Sequence, residues 1–304
     1  MATGVNVEFP DGFGARAPAM EDLDAVTEVA AAGELAVDGV VDIAADDIRG
    51  HWQRPSFNLS SDAVLVLRGD RPVAYAEVAG GRAWVHVHPD VQGRGLGTAL
   101  LTWTEGRARE LGAEKVGQTK SDNDDAAIEL LTANGYRVRW TTWMFQYRLD
   151  DQPPAPTLPE GITLRAFELG RDDRAVYELI DVAFSDWPDR DPSMPFEDWA
   201  ASYLYREDLD PELTLLLEDG SELVGVSHCR VYGDEGWVEQ IAVKRSHRGR
   251  GLGGALLRAS FRRFFDRGLR RAGLSTESRT GARGVYEHVG MQVTRSFKRY
   301  SKDL

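Results

Sequence analysis

The chain has 304 residues, a formal charge of −13 and 42% hydrophobic residues. At about 100–200 residues per domain, this length predicts two domains, each with apolar residues enough for a core. The acidic balance repels phosphate polymers and excludes generic nucleic-acid binding, and no run approaches the roughly 18 apolar residues of a membrane span. A single cysteine, Cys229, rules out an intrachain disulfide and fits a reducing, cytoplasmic setting. The opening "MATGVNVEFPDGFGARAP" is broken by charges, Pro and Gly, and does not read as a signal peptide.

Along the chain, "MEDLDAVTEVAAAGELA" predicts a helix. "AVLVLRGDRPVAYAEVAGG" predicts a hairpin, and "AWVHVHPD" a strand running into "VQGRGLG". "TALLTWTEGRARELG" has the 3.6 period of a helix, and a strand, a helix and a strand pair follow. "DDQPPAPTLPEG", with four prolines, reads as a linker over 151–160, so the domains are expected at 1–150 and 161–304. The same order then repeats: "GRDDRAVYELIDVAF", "LTLLLEDGSELVGVSHCRVYG", "WVEQIAVKR", "HRGRGLG", "GALLRASFRRFFDRG". Gly253 stands 156 residues after Gly97, and Gly290 stands 155 after Gly135. Register kept over that span points to an internal duplication.

A glycine-rich loop between strand and helix suits phosphate, because backbone N–H groups approach closely and the helix start is electropositive. Neither copy has the Gly-Lys-Ser/Thr of a Walker loop. Gly249, Gly251 and Gly254 fit a dinucleotide fingerprint, but in the first copy Thr98 stands where the last glycine belongs. Both copies do fit Arg/Gln-x-x-Gly-x-Gly/Ala: Gln92-Gly93-Arg94-Gly95-Leu96-Gly97, and Arg248-Gly249-Arg250-Gly251-Leu252-Gly253. This resembles the pyrophosphate loop of the GNAT family of N-acetyltransferases, and the tandem pair resembles its mycothiol synthase-like branch.

The resemblance implies a mixed α/β (α+β) fold: two tandem GNAT domains, each a splayed, mostly antiparallel sheet flanked by helices. It implies acetyl-CoA as cofactor and no metal. The cofactor would lie along Ile241, Ala242 and Val243, at the loop with Gly254, and at Ser278, where this branch usually has Asn. In the first half it would lie along Val85, His86, Val87, the loop with Thr98, and Asn123. Lys244, Arg245, Arg248 and Arg250 gather positive charge at the second loop, either a phosphate site or a solvated turn.

For catalysis the resemblance implies Glu239 as general base and Tyr286 as proton donor to the thiolate. Strand alternation would put Glu239, Ile241 and Val243 on one face. The bland alternatives are an acid paired to a cation and a core aromatic. In the first half Ala83 and Leu131 stand at those positions, so that half is expected to be catalytically degenerate, with His86 more often a structural strand histidine. Cys229 has no evident triad.

The stretch 184–205 mixes Trp187, Phe196, Trp199 and Tyr203 with Asp186, Asp189, Asp191, Glu197 and Asp198. That suits an aminated acceptor, although Trp199 and Tyr203 also have helical core spacing. The leading expectation is acetyl transfer to a primary amine, of a small molecule or a peptide, in the second half. The alternative is an acetyl-CoA-binding sensor or scaffold without turnover.

Overall fold

The computed structural model describes residues 7–188, 190 and 192–304. Asp189 and Asp191 lie outside the described residues. In chain order the elements are β1 (Gly14–Arg16), α1 (Leu23–Asp38), α2 (Ala45–Trp52), α3 (Leu59–Asp62), β2 (Ala63–Arg68), β3 (Arg71–Ala79) and β4 (Arg82–Val87). Then come α4 (Leu96–Glu110), β5 (Lys115–Ser121), α5 (Asp125–Ala133) and β6 (Arg137–Arg148). The second round has β7 (Ile162–Ala166), α6 (Asp173–Phe184), α7 (Phe196–Tyr203), β8 (Leu215–Asp219), β9 (Glu222–Tyr232) and β10 (Glu235–Val243). It closes with α8 (Leu252–Asp266), β11 (Arg271–Glu277), α9 (Arg283–His288) and β12 (Gln292–Asp303). Helices α4 and α8 have 15 residues each and start 156 residues apart, as do β5 and β11.

Two compact units form, and they are not the two sequence halves. One comprises the described residues up to Thr141 together with Phe297–Leu304; the other is Thr142–Ser296. The expected boundary at residue 150 therefore moves into a strand. The Thr142–Arg148 part of β6 pairs antiparallel with β11 in the second unit. The Phe297–Asp303 part of β12 pairs antiparallel with β5 in the first. Each copy lends its last strand to the other. Because the copies are alike, either last strand fits either edge, which is the condition for exchange of equivalent elements. The proline-rich stretch has no regular structure, yet it is held: Arg262 Nη1 of α8 donates to the Pro153 carbonyl at 2.9 Å.

In each unit one strand pair is parallel and the other pairings are antiparallel. The parallel pair opens quickly. β4 meets β5 at Arg82–Gly117 alone, and β10 meets β11 from Glu235–Arg271 to Val238–Leu274. Beyond those points the strands diverge, and the glycine loops follow on the diverging side.

The first unit buries apolar residues on both faces of its sheet. Val64, Val66, Ala74, Ala76 and Val78 pack with Leu100, Leu101 and Trp103 of α4. Leu65 and Tyr75 pack with Leu23, Val26, Ile48 and Trp52 of α1 and α2. In the second unit Phe145, Val238 and Leu274 pack with Leu257, Phe261 and Phe264 of α8. On the other face Val226 and Ala242 pack with Val176, Ile180 and Trp199 of α6 and α7. Strand alternation produces this two-sided burial.

Candidate functional site

Each glycine loop ends in a residue only glycine adopts easily. Gly95 (φ 82°) and Gly251 (φ 79°) are the left-handed residues before α4 and α8. No side chain caps either helix start, so its N–H groups remain for an anion. Gly97 lets α4 approach α5: a Cβ there would lie 3.0 Å from Leu130 Cδ2.

In the first unit this loop opens on a cavity of about 390 Å³. Val85, His86, Val87, Gln92, Gly93, Gly95, Leu96, Gly97 and Thr98 line it. Arg94 and Asn123 do not. Asn123 Nδ2 donates instead to Asp38 Oδ1 at 2.9 Å, and Ser121 Oγ donates to the same oxygen at 2.6 Å. Asp38, Gln118, Lys120 and Leu131 also line the cavity.

Burial lowers the His86 pKa to about 3, helped by the positive charge of Lys120. Its ring is neutral near pH 7 and too weak a base to hold a substrate proton. His88 is a turn residue whose Nδ1 accepts from the Asp90 N–H at 3.2 Å.

Sequence reasoning missed a carboxylate in this unit. Glu77 of β3 is 4% exposed and lies opposite Trp84. It accepts from Tyr75 Oη and pairs with His51 Nδ1 at 2.9 Å, while Trp52 Nε1 donates to Tyr75 Oη at 2.7 Å. These partners hold the carboxyl below its usual value against the opposing effect of burial. The loss expected at Ala83 is thus not a loss of every acid on the strands. The only sequence signal was an acid inside an apolar strand, "VAYAEVA".

In the second unit Glu239 sits where β10 breaks register. Val238 pairs with Cys229 and Gln240 with His228, so one residue is extra. The bulge overturns the expected shared face of Glu239, Ile241 and Val243. Glu239 Oε1 accepts from Arg230 Nε at 2.8 Å, from Arg230 Nη2 and from Tyr232 Oη at 3.0 Å. Ile241 and Val243 pack instead with Leu252 and Leu256 of α8, and Ala242 packs toward α6 and α7. A strict period of two cannot survive an inserted residue.

Tyr286 of α9 is 6% exposed and packs on Phe145, ring centroids 5.5 Å apart. Its hydroxyl lies near Thr276 on β11. Burial raises its pKa, which keeps the phenol protonated near neutrality. Ser278 starts a short turn directly after β11. Leu252 is the first residue of α8 and is buried; Gly253 and Gly254 follow it in the first turn.

The cations expected around Gly249 and Gly251 have acidic partners. Arg245 and Arg248 both reach Asp186, at 3.3 and 2.9 Å. Arg248 Nη2 donates to the Ala183 carbonyl and Nε to that of Val243. Arg250 lies 3.7 Å from Asp219, and Lys244 pairs with Glu222. In the 184–205 stretch, Trp187 stacks on Phe184 at 4.2 Å. Trp199 is buried, and its Nε1 donates to Gln240 at 2.9 Å. Cys229 is buried among Ser227 and Ser260, and burial pushes its thiol up to about 11, which leaves it an unreactive thiol.

The arrangement is that of a known family. Residues 39–136 and 174–291 match the model of the Acetyltransferase (GNAT) family, an acyl-CoA-dependent fold. A mycothiol acetyltransferase of Thermobispora bispora is 32% identical over 230 residues, covering 72% of each chain. One from Thermomonospora curvata is 32% identical over 265 residues, covering 81% of this chain and 86% of its own. Among solved structures, a GCN5-related N-acetyltransferase from Sphaerobacter thermophilus is 34% identical with a TM-score of 0.79, covering 97% of each chain. A tandem GNAT protein from the clavulanic acid biosynthesis pathway, at 16% identity and a TM-score of 0.73, covers 96% of this chain and 98% of its own and shares the fold. Among the described residues no helix is long and apolar enough to cross a membrane. The chain therefore belongs to the GNAT family: it is an N-acetyltransferase in which the family fold occurs twice.

Proposed function

We propose that the chain moves an acetyl group from acetyl-CoA to the primary amine of a small molecule, with transfer in the second unit and a retained cofactor site in the first. The observation that carries the cofactor is the first unit's cavity, bounded at one end by a glycine cradle and an uncapped helix start. A volume of about 390 Å³ falls within the range of small-molecule sites. Acetyl-CoA supplies an activated acyl group as a thioester. The duplicated loop, Gly249 and Gly251 before α8, would hold the phosphates in the same way in the second unit.

Transfer in the second unit is supported by Glu239 and Tyr286, which have no counterpart at the matching positions of the first. The bulge turns Glu239 out of the register of its strand and beside Arg230 and Tyr232. A carboxylate there can take the ammonium proton, directly or through water, so that a neutral amine attacks. Backbone N–H groups near Ile241 would polarise the acyl carbonyl. Tyr286, kept protonated by burial, would return a proton to the departing thiolate. The aromatic and acidic residues of 184–205 suit a cationic acceptor, and the mycothiol acetyltransferases among its relatives make the acceptor of those enzymes the first to try.

The test is acetyl-CoA consumption against a panel of amines that includes that acceptor. Turnover with one amine, abolished by bulky replacements at Gly251 and Gly253, is expected. Turnover lost instead on matching changes at Gly95 and Gly97 would move the chemistry to the first unit. Cofactor binding without turnover on any amine would favour a sensor.

A further inference from the structure

The first unit's cavity contains an amine of its own. Lys120 lies on β5, three residues beyond Gly117, where β5 pairs with β4. Its side chain crosses the opening, and Nζ donates to the Val85 carbonyl of β4 at 2.8 Å. Val85, His86 and Lys120 line the same cavity as Gly93, Gly95 and Gly97. A ligand filling this cavity would meet both the glycines and this amine.

We propose that Lys120 is an internal acyl acceptor: its Nζ takes the acetyl group from acetyl-CoA seated in the first unit. This rests on the cofactor reading above. The lysine is surrounded by protein with one flank on the cavity, and burial holds its pKa below the usual 10.5 against the opposing pull of Asp124. Burial favours the uncharged amine, the form that attacks a thioester. One N–H stays on the Val85 carbonyl while the lone pair is left for attack. Lys120 Nζ forms the new C–N bond, the thioester C–S bond breaks, and the proton shed by nitrogen goes to the thiolate. The products are an Nε-acetyl-lysine and CoA thiol, with no redox change. His86, with a pKa of about 3, does not compete for the proton. The step occurs once per chain, because the acceptor is consumed.

The experiment is mass spectrometry of the full chain after incubation with isotope-labelled acetyl-CoA, with peptide mapping over time. One label per chain at Lys120 is expected, arriving about a hundredfold faster than at Lys115, Lys298 or Lys302, a small part of what positioning can supply. Lys120→Arg should remove that label and keep the fold. Gly95→Val, in the cavity lining, should slow labelling toward the rate of those three lysines. Calorimetry with acetyl-CoA on the same sample separates the two ideas. Acetyl-CoA bound in the first unit with Lys120 unlabelled, or labelled no faster than those three lysines, overturns the internal acceptor and leaves the cofactor reading intact. Rapid labelling that ignores Gly95→Val also overturns it. No binding to the first unit fails the cofactor reading itself.

Discussion

In the first unit the helix after the glycine loop faces a cavity with a lysine in its lining. In the second, the arginines of the matching loop are held by Asp186 and the strand carries a bulged acid. At the loops the backbone hardly differs: α4 and α8 have equal lengths and the same left-handed glycine before them. The difference lies in side chains and in one inserted strand residue. Duplication kept what depends on backbone geometry, the anion cradle. It let go of what depends on particular side chains, the groups that move protons. Two strands nevertheless tie the copies together, and that tie is the first place to press on the comparison.

Separating the copies should have the largest effect. A chain ending at residue 150 lacks the β12 segment that covers the β5 edge. It also leaves the Thr142–Arg148 part of β6 without β11. An uncovered edge and an unpaired strand promote aggregation. We expect each half alone to be insoluble or to self-associate, and the two halves co-expressed to purify as one complex. A monomeric, cooperatively melting 1–150 fragment would show that β6 can return to its own copy and that the exchange is optional.

Glu239→Gln and Tyr286→Phe come next. Each should lower kcat by about 10²–10⁴, or roughly 3–5 kcal/mol of barrier, with acetyl-CoA affinity little changed. The ion pair with Arg230 offers a rival account for Glu239. Breaking a buried pair costs about 3–5 kcal/mol of stability. A structural role alone predicts a lower Tm with normal kcat in the folded fraction. Melting curves beside kinetics decide between them.

Much of this was legible in the sequence. The periodicity of "TALLTWTEGRARELG" and "GALLRASFRRFFDRG", the glycine spacing and the constant offset located both helices and both loops, because those signals are local. The bulge at Glu239 was not legible, since an inserted residue looks like any other in "WVEQIAV". Strand exchange was hidden for a different reason: two equivalent last strands fit either edge, so pairing rules do not choose. Nothing in the sequence singles out Lys120 within "KVGQTKS". Only the parting of β4 from β5 makes it a cavity residue.

Acid should unsettle both units through their buried histidines. Burial lowers His86 and His228 to about 3. The unfolded chain binds these protons near pH 6.5, while the folded chain refuses them until about pH 3. Below pH 6.5 the unfolded state therefore holds more protons, and stability falls as pH falls. Each histidine contributes on the order of 1 kcal/mol per pH unit across that window. Urea midpoints between pH 7 and 4 should decline, and His86→Gln should make the decline shallower. An equal slope in that variant would mean that His86 already takes up its proton in the folded state.

The smallest expected effect concerns Asp186. Its carboxylate stands where an anion would meet Arg245 and Arg248, so a phosphate and Asp186 compete for the same cations. Both arginines are well exposed, and exposed pairs are worth about 0–1 kcal/mol. Removing the competitor can therefore tighten anion binding by no more than about fivefold at low salt, and by less as the Debye length shortens. Asp186→Asn should strengthen CoA binding at the second unit by that modest factor. It should leave binding at the first unit unchanged, since Asp186 belongs to the second unit. Titrations in a Gly95→Val background isolate the second unit. A loss of affinity there would mean that Asp186 positions Arg248, through its bonds to Ala183 and Val243, rather than shielding it.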